Sequence, residues 1–171
     1  MGEKTLIAYF SHTERDATGM EIDSDARGHA ATVAGLVREA TGADVFEIRR
    51  KDDYPQDHRE LIEAAKQEKA DGTRPELDGL PDMSGYGTLV LGYPNWCGDL
   101  PMPVYTFLED TDLSGVKILP YCTNGGGGMN STVETIAELC PGSEVAEGLS
   151  VKDKEIDDAG AMVKDWLAEN L

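Results

Sequence analysis

Hydroxyl, imidazole and glycine residues form two short groups near the start of the chain. Ser11-His12-Thr13 follows an apolar run, and Gly28-His29-Ala30 opens a segment with helical periodicity. The first turn of a helix offers unpaired N–H groups and a partial positive charge, so it can hold a phosphate without lysine or arginine. Because the same residues are common in helix caps, this pattern alone indicates either a phosphate site or a cap.

An indole and a thiol stand in a later loop, in the sequence Pro94-Asn95-Trp96-Cys97-Gly98. A planar heterocycle could stack on Trp96, and packing against the following helix is the ordinary alternative. A third loop, Thr123-Asn124-Gly125-Gly126, begins a run of four glycines at 125–128. Such a loop lets backbone N–H groups approach a ligand closely, although a flexible turn would have the same sequence.

The three cysteines carry no pattern of their own. Cys97, Cys122 and Cys140 have no C-x-x-C spacing and no matching histidine pair, so neither a disulfide framework nor a metal site is predicted. Cys97 and Cys122 are interpreted as small apolar filler, because no adjacent Lys or Arg would lower a thiol pKa. Free thiols fit a reducing compartment, and we expect a cytoplasmic protein.

Alternating apolar runs and helical patterns predict the scaffold that positions these loops. We expect strands over 5–10, 43–48, 88–93, 116–122 and 145–151. We expect helices over 28–42, 57–70 and 101–108, from Ser131 onwards, and over 156–167, with a long exposed loop over 13–27. The alternation is typical of a parallel sheet between helices, and 171 residues suffice for a single domain over 1–171.

Two local details qualify this scaffold. Ser131 and Glu134 have the spacing of a capping box, which predicts the start of the fourth helix. Pro120 interrupts the fourth strand, where it cannot donate to a sheet ladder. In an open parallel sheet, ligands bind outside the carboxyl ends of the strands. The loops after the first, third and fourth strands are therefore expected to form one site.

The chain is strongly acidic, with 33 acidic and 15 basic residues and a formal net charge of -18. This charge disfavours nucleic acid and anionic membranes as partners. No run is long enough for a membrane span or the core of a signal peptide. The acidity indicates either simple solubility or a docking surface for a basic redox partner.

Five stretches carry a resemblance to a known family: 6–11, 41–48, 91–98, 101–109 and 122–126. In this order they are similar to the flavodoxin-like family, in particular its small bacterial flavodoxins and NAD(P)H-dependent FMN oxidoreductases. The resemblance implies an α/β flavodoxin-like three-layer sandwich with a five-stranded parallel sheet of order 2-1-3-4-5. It also implies FMN at the carboxyl ends of the first and third strands.

The resemblance assigns FMN-binding residues and no catalytic side chain, because the cofactor carries the chemistry. The phosphate group would lie against Ser11, His12, Thr13, Gly28, His29 and Ala30. The isoalloxazine would lie against Pro94, Asn95, Trp96, Cys97, Gly98, Thr123, Asn124, Gly125 and Gly126. Trp96 would stack on the ring or contact its edge, and Asp99 would be the nearest acidic residue able to lower the flavin potential.

Three features depart from the family pattern. His29 and Ala30 stand where an Asn and a Thr are usual, so a ring N–H of His29 would replace the lost hydroxyl. Cys97 stands where a second tryptophan is expected, which puts a thiol beside the flavin. The additional residues 14–26 lengthen the first loop and would form a flap over the site.

The sequence leaves three functions open. The first is an FMN-binding electron-transfer protein between redox partner proteins, which the acidic surface favours. The second is an NAD(P)H-dependent FMN reductase of quinones or similar acceptors, although no G-x-G-x-x-G fingerprint of a dinucleotide site is present. The third is a regulatory relative that lacks flavin. A receiver domain is disfavoured, because Ser11, His12 and Tyr93-Pro94 stand where its acidic residues belong. Whether the protein is an enzyme depends on which of these three functions it has.

Overall fold

The computed structural model describes residues 4–12 and 28–171. The strands are β1 (Lys4–Tyr9), β2 (Asp44–Glu47), β3 (Tyr86–Pro94), β4 (Lys117–Asn124), β5 (Glu144–Val145) and β6 (Leu149–Lys152). The helices are α1 (His29–Thr41), α2 (His58–Asp71), α3 (Met102–Asp110), α4 (Thr132–Leu139) and α5 (Ala159–Asn170), with a 3₁₀ helix at Asp153–Asp158. The loop expected over 13–27 lies outside the described residues, and so does the proposed flap within it.

The strands form one parallel sheet of order β2-β1-β3-β4-β5, in which β6 also pairs with β4. The predicted fold class and strand order are thereby confirmed. Hydrogen bonds between neighbouring strands continue past their carboxyl ends. Phe10 N–H donates to Gly92 O over 2.9 Å, and Asn95 N–H donates to Thr123 O over 2.8 Å. The loops after β1, β3 and β4 therefore begin side by side.

Both faces of the sheet are buried, which explains why its central strands are continuous apolar runs. On one face, Ala8 and Leu91 belong to a core that includes Phe107 of α3 and Ile136 of α4. On the other face, Ile7, Val90 and Leu119 pack with Val33 of α1 and Val163 of α5. The helices thus cover the sheet on both sides, which gives the three-layer sandwich.

The prediction of one fifth strand over 145–151 is wrong in detail. Two short strands replace it, and β5 pairs with Lys117 and Ile118 while β6 pairs with Tyr121–Asn124. Ala146 N–H donates to Ile118 O, so the backbone groups of Ile118 point towards the side of β4 where β5 and β6 lie. Backbone groups two residues apart face the same way, so the nitrogen of Pro120 faces the gap between β5 and β6. The proline therefore costs no ladder hydrogen bond.

The predicted capping box is also wrong, although the helix boundary is right. Ser131 is the N-cap of α4, but its side chain makes no capping hydrogen bond. Its ψ of 22° departs from the extended backbone that this type of cap uses. The hydroxyl of Thr132 instead donates to Met129 O over 2.7 Å, and that of Thr135 donates to Ser131 O. The N–H of Thr132 also donates to Met129 O over 3.1 Å, so a backbone turn and not the Ser131 hydroxyl satisfies this first amide of the helix.

A glycine and a tyrosine on neighbouring strands position the start of α1. Tyr121 of β4 is paired with Gly92 of β3, and its hydroxyl donates to Ala30 O over 2.7 Å. A Cβ atom at Gly92 would lie 1.9 Å from the Tyr121 ring. The absent side chain is therefore what lets the ring cross β3 and hold the first turn of α1.

Gly92→Ala should destabilise the protein by about 1–3 kcal/mol or more, because the fully buried Tyr121 ring has little room to move. Urea unfolding would report this as a lower midpoint with an unchanged slope. Gly35→Ala is the matched control, since an added Cβ meets no atom within 4 Å inside α1. The control should gain up to about 1 kcal/mol from helix propensity. Equal midpoints for the two variants would contradict this account.

Candidate functional site

The first turn of α1 packs directly against the end of β1. Gly28 is the N-cap of this helix and has a φ of +80°, a left-handed value that favours glycine. A Cβ atom there would lie 2.5 Å from Ser11 Oγ and 3.1 Å from His12 O. The first turn contains no acidic residue, so nothing in it opposes an anion at the positive end of the helix dipole. The structure therefore brings the two predicted phosphate-binding groups together.

His29 connects this turn to the opposite side of the site. Its Nδ1 lies 2.8 Å from Asp153 Oδ1, at the start of the 3₁₀ helix that follows β6. A Cβ atom at Gly125 would lie 3.6 Å from Asp153 Oδ2. Asp153 therefore lies between the start of α1 and the glycine loop. Sequence reasoning missed it, because no pattern links residues that are 124 positions apart.

Asn124 organises the glycine loop. It is buried, and its Oδ1 accepts hydrogen bonds from Gly126 N at 3.0 Å and Gly128 N at 3.1 Å. Its Nδ2 donates to Ser150 Oγ over 2.9 Å. The loop is thus fixed by a side chain, so the interpretation as a flexible turn does not fit. Asn124 is a predicted site residue, but its structural role in holding the glycine loop was not predicted.

Asn95 joins the glycine loop to the loop after β3. Its Nδ2 donates to Gly128 O at 2.8 Å and to Asn130 Oδ1 at 2.6 Å. Its Oδ1 accepts from Gly98 N at 2.9 Å. Pro94 and Thr123 are paired at the ends of β3 and β4, directly beside this link. The two loops predicted to enclose a ring therefore form one connected wall.

Cys97 and Gly98 form a tight two-residue turn. Trp96 and Asp99 exchange two backbone hydrogen bonds across it, of 3.0 and 3.1 Å. Both turn residues have left-handed φ values, 56° and 77°, as in the turns that close β-hairpins. Lys69 Nζ donates to Cys97 O over 2.6 Å and ties the turn to α2. The Cys97 thiol is exposed at the tip.

Trp96 is half-buried and lies in an aromatic corner. Its ring centroid is 5.2 Å from that of Phe10, at 90°, and 5.2 Å from that of Tyr54, at 75°. These edge contacts are the arrangement that aromatic pairs prefer. The ring partners of the indole thus come from the end of β1 and from the segment between β2 and α2. Sequence reasoning missed Tyr54, which belongs to no motif.

Asp99 is directed towards α3. Its Oδ1 accepts from Leu100 N at 2.7 Å and from the hydroxyl of Tyr105 at 2.8 Å. Burial and this carboxylate raise the pKa of Tyr105 to about 12, so the phenol stays a donor.

Of the predicted site residues, Thr13 lies outside the described residues. Within residues 4–12 and 28–171, no cluster of three or more acidic, His or Cys side chains could hold a metal ion. No helix of this part is long and apolar enough to span a bilayer.

One thiol per folded molecule should react rapidly with a colorimetric disulfide reagent at pH 8. Cys97 is exposed, whereas burial raises the pKa of Cys122 to about 12 and also raises the pKa of Cys140. All three should react after unfolding in guanidinium. Cys97→Ser should abolish the fast phase, and a fast phase that persists in this variant would contradict the assignment.

Comparison with known proteins agrees with this architecture. A family model described as flavodoxin matches residues 4–170. A candidate flavoprotein from Bacteroides uniformis is 26% identical, with a TM-score of 0.78 over 98% of this chain and 99% of that chain. A flavoprotein from Lactobacillus acidophilus, solved in complex with FMN, is 20% identical, with a TM-score of 0.69 over 91% of this chain and 97% of that one.

A third structure, oxidised flavodoxin 1 from Bacillus cereus, is more distant. It is 17% identical, with a TM-score of 0.51 over 97% of this chain and 98% of that chain. At such identities the likeness to the last two structures concerns the fold alone. No curated protein matches the chain. Since the family model spans nearly all of the sequence, the chain belongs to the flavodoxin family.

Proposed function

We propose that this protein is a single-domain cytoplasmic electron-transfer protein that binds FMN noncovalently where β1, β3 and β4 end. The proposal rests on the groups that meet at one edge of the sheet. There the acid-free first turn of α1 meets Ser11, and the Trp96 turn and the glycine loop form one wall. Membership of the flavodoxin family and the FMN complex of the Lactobacillus acidophilus protein support the choice of ligand.

The residues at the start of α1 fit a phosphate monoester. Backbone N–H groups of the first turn point out of the helix, and the missing side chain of Gly28 lets this turn pack directly against Ser11. The hydroxyl of Tyr121 holds the Ala30 carbonyl, which fixes this turn before any ligand binds. The imidazole of His29 is held at Nδ1 by Asp153 and has its Nε2 as a second polar atom.

The wall formed by the other two loops fits a flat heterocycle. Trp96 supplies an aromatic surface, while Asn95 and Asn124 fix the backbone on either side of it. When bound, FMN supplies the redox chemistry, and the protein orients the ring and sets its electrostatic surroundings. The carboxylate of Asp99 is directed towards α3, because its Oδ1 accepts from Leu100 N and from the hydroxyl of Tyr105.

The acidic surface favours exchange of electrons with another protein. A net charge of -18 attracts a basic partner over roughly one Debye length, about 8 Å at physiological salt. Direct reduction of the flavin by NADH or NADPH is the competing possibility. Stopped-flow mixing with each nucleotide distinguishes a carrier from a reductase. The flavin absorbance of a carrier is lost only after a separate reductase is added. Rapid bleaching by either nucleotide alone would make the protein a reductase.

Trp96→Ala should weaken FMN binding by about 1–3 kcal/mol, or about fivefold to 150-fold in Kd, if the indole stacks on the ring. Quenching of flavin fluorescence during titration of each apoprotein measures the Kd of FMN for the wild type and for the variant. Trp166→Phe is the control, because Trp166 lies on α5 and packs in the core on the opposite face of the sheet from Trp96. Equal Kd values for wild type and Trp96→Ala would contradict stacking. If the wild type binds no FMN at micromolar concentration, the proposed function is wrong.

Gly28→Ala should weaken FMN binding by at least about tenfold and riboflavin binding by much less. The new Cβ would collide with Ser11 Oγ and would sit on a left-handed residue, so the phosphate site would be distorted. Gly42→Ala is the control, because Gly42 is also left-handed but lies at the far end of α1 in open space. Equal losses for the two ligands would place the phosphate elsewhere.

A further inference from the structure

A buried carboxylate lies behind the aromatic corner that holds Trp96. Glu68, on the inner face of α2, is the only charged side chain among the buried residues that the structure describes. Charged groups are rarely buried unless they are paired. This residue matches no motif, and neither the phosphate-binding turn nor the two loops of the site use it. Its partners therefore indicate its role.

Both carboxylate oxygens of Glu68 are occupied. Oε2 accepts from the hydroxyl of Tyr54 at 2.6 Å, and Oε1 accepts from the Arg50 guanidinium at 2.9 Å. The same guanidinium lies over the Tyr54 ring, 4.6 Å from its centroid, and also donates to Asp52 O at 2.7 Å. Burial and Glu68 raise the pKa of Tyr54, so its hydroxyl remains a donor at any physiological pH. Tyr54 is thus held by a charge at its hydroxyl and by a cation over its face.

The tyrosine in turn contacts the indole. Its ring lies edge-on to Trp96 and, at 6.2 Å, also edge-on to Phe10. Tyr54 belongs to the irregular segment between β2 and α2, in which Arg49 and Lys51 make backbone hydrogen bonds to residues 76–78, and Tyr54 lies beyond these bonds. Its fixed position therefore depends on Glu68 and Arg50. The contacts therefore run from Glu68 on α2 through Tyr54 to the indole ring of Trp96.

An ionic cluster of this kind is a costly way to fill space. Well-packed apolar residues would stabilise the fold equally well or better, because the buried charges lose their hydration. A charged acceptor, however, forms hydrogen bonds about twice as strong as neutral ones and with defined directions. The cluster thus gains orientation of the phenol rather than stability.

We propose that Arg50, Tyr54 and Glu68 are positioning residues that fix the orientation of Trp96 towards the flavin ring. The proposal rests on the FMN site proposed above for its functional consequence. Its effect concerns the ring and not the phosphate, which α1 binds. Loss of the cluster should therefore change FMN and riboflavin affinity by the same factor, unlike a change at Gly28.

Tyr54→Phe tests the first link, because it removes the hydroxyl and keeps the ring. In a Trp166→Phe background, Trp96 is the only tryptophan of the chain. The variant should lose near-ultraviolet circular dichroism from Trp96 and should be quenched more strongly by acrylamide, without any ligand. FMN and riboflavin affinity should each fall about three- to tenfold. Tyr86→Phe, which removes a hydroxyl donor to Asp44 at the opposite end of the sheet, should change none of these.

Glu68→Gln tests the second link and guards against a simple loss of folding. The amide oxygen of Gln still accepts from the Tyr54 hydroxyl but carries no charge. The variant should therefore change the Trp96 spectrum and both affinities in the same direction as Tyr54→Phe but less, and the double variant should be no worse than Tyr54→Phe alone. This non-additivity is expected only if both residues act through the same hydrogen bond. Additive losses, or an unchanged Trp96 signal in both single variants, would overturn the proposal. Failure of the wild type to bind FMN would overturn the proposed function instead, since the Trp96 signal is measured in the apoprotein.

Discussion

The parallel register of β1, β3 and β4 is the constraint on which the site depends. Because the hydrogen bonds continue past the strand ends, at Phe10 N to Gly92 O and Asn95 N to Thr123 O, three loops start at the same edge. Neighbouring strands lie about 4.8 Å apart, so the loops are brought within the width of one small ligand. The asparagines then need to span only short gaps to join the loops.

The sheet also positions the helix that faces this edge. Gly92 leaves room for the Tyr121 ring, and the tyrosine hydroxyl reaches Ala30 across the strand. A buried phenol must find an acceptor, since an unpaired polar group in the core is costly. Its acceptor is the first turn of α1, so packing within the core and placement of the turn proposed to bind phosphate depend on the same interaction. Altering the core pair would therefore affect the site as well as stability.

The sequence predicts what local patterns determine, and it fails where distant residues decide. The runs that form β1, β3 and β4 are apolar on both faces, so their existence and parallel pairing follow from composition. The split of the last strand could not be predicted, because it depends on which residues of β4 remain opposite a partner. The cap at Ser131 failed because backbone geometry overrode side-chain preference. His29 with Asp153, and Tyr54 with Glu68, meet only through the topology.

The two halves of the site use different physical means to hold their parts. At the start of α1, the groups available to an anion are backbone N–H donors, whose positions follow from the helix itself. At Trp96, a flexible aromatic side chain has to be oriented, and the backbone cannot do this. A buried carboxylate with two directional donors provides the orientation, at a desolvation cost that apolar packing would avoid. The ionic cluster therefore lies behind Trp96 and not at the start of α1, because the backbone bonds that fix the Trp96 turn do not by themselves set the orientation of the indole ring.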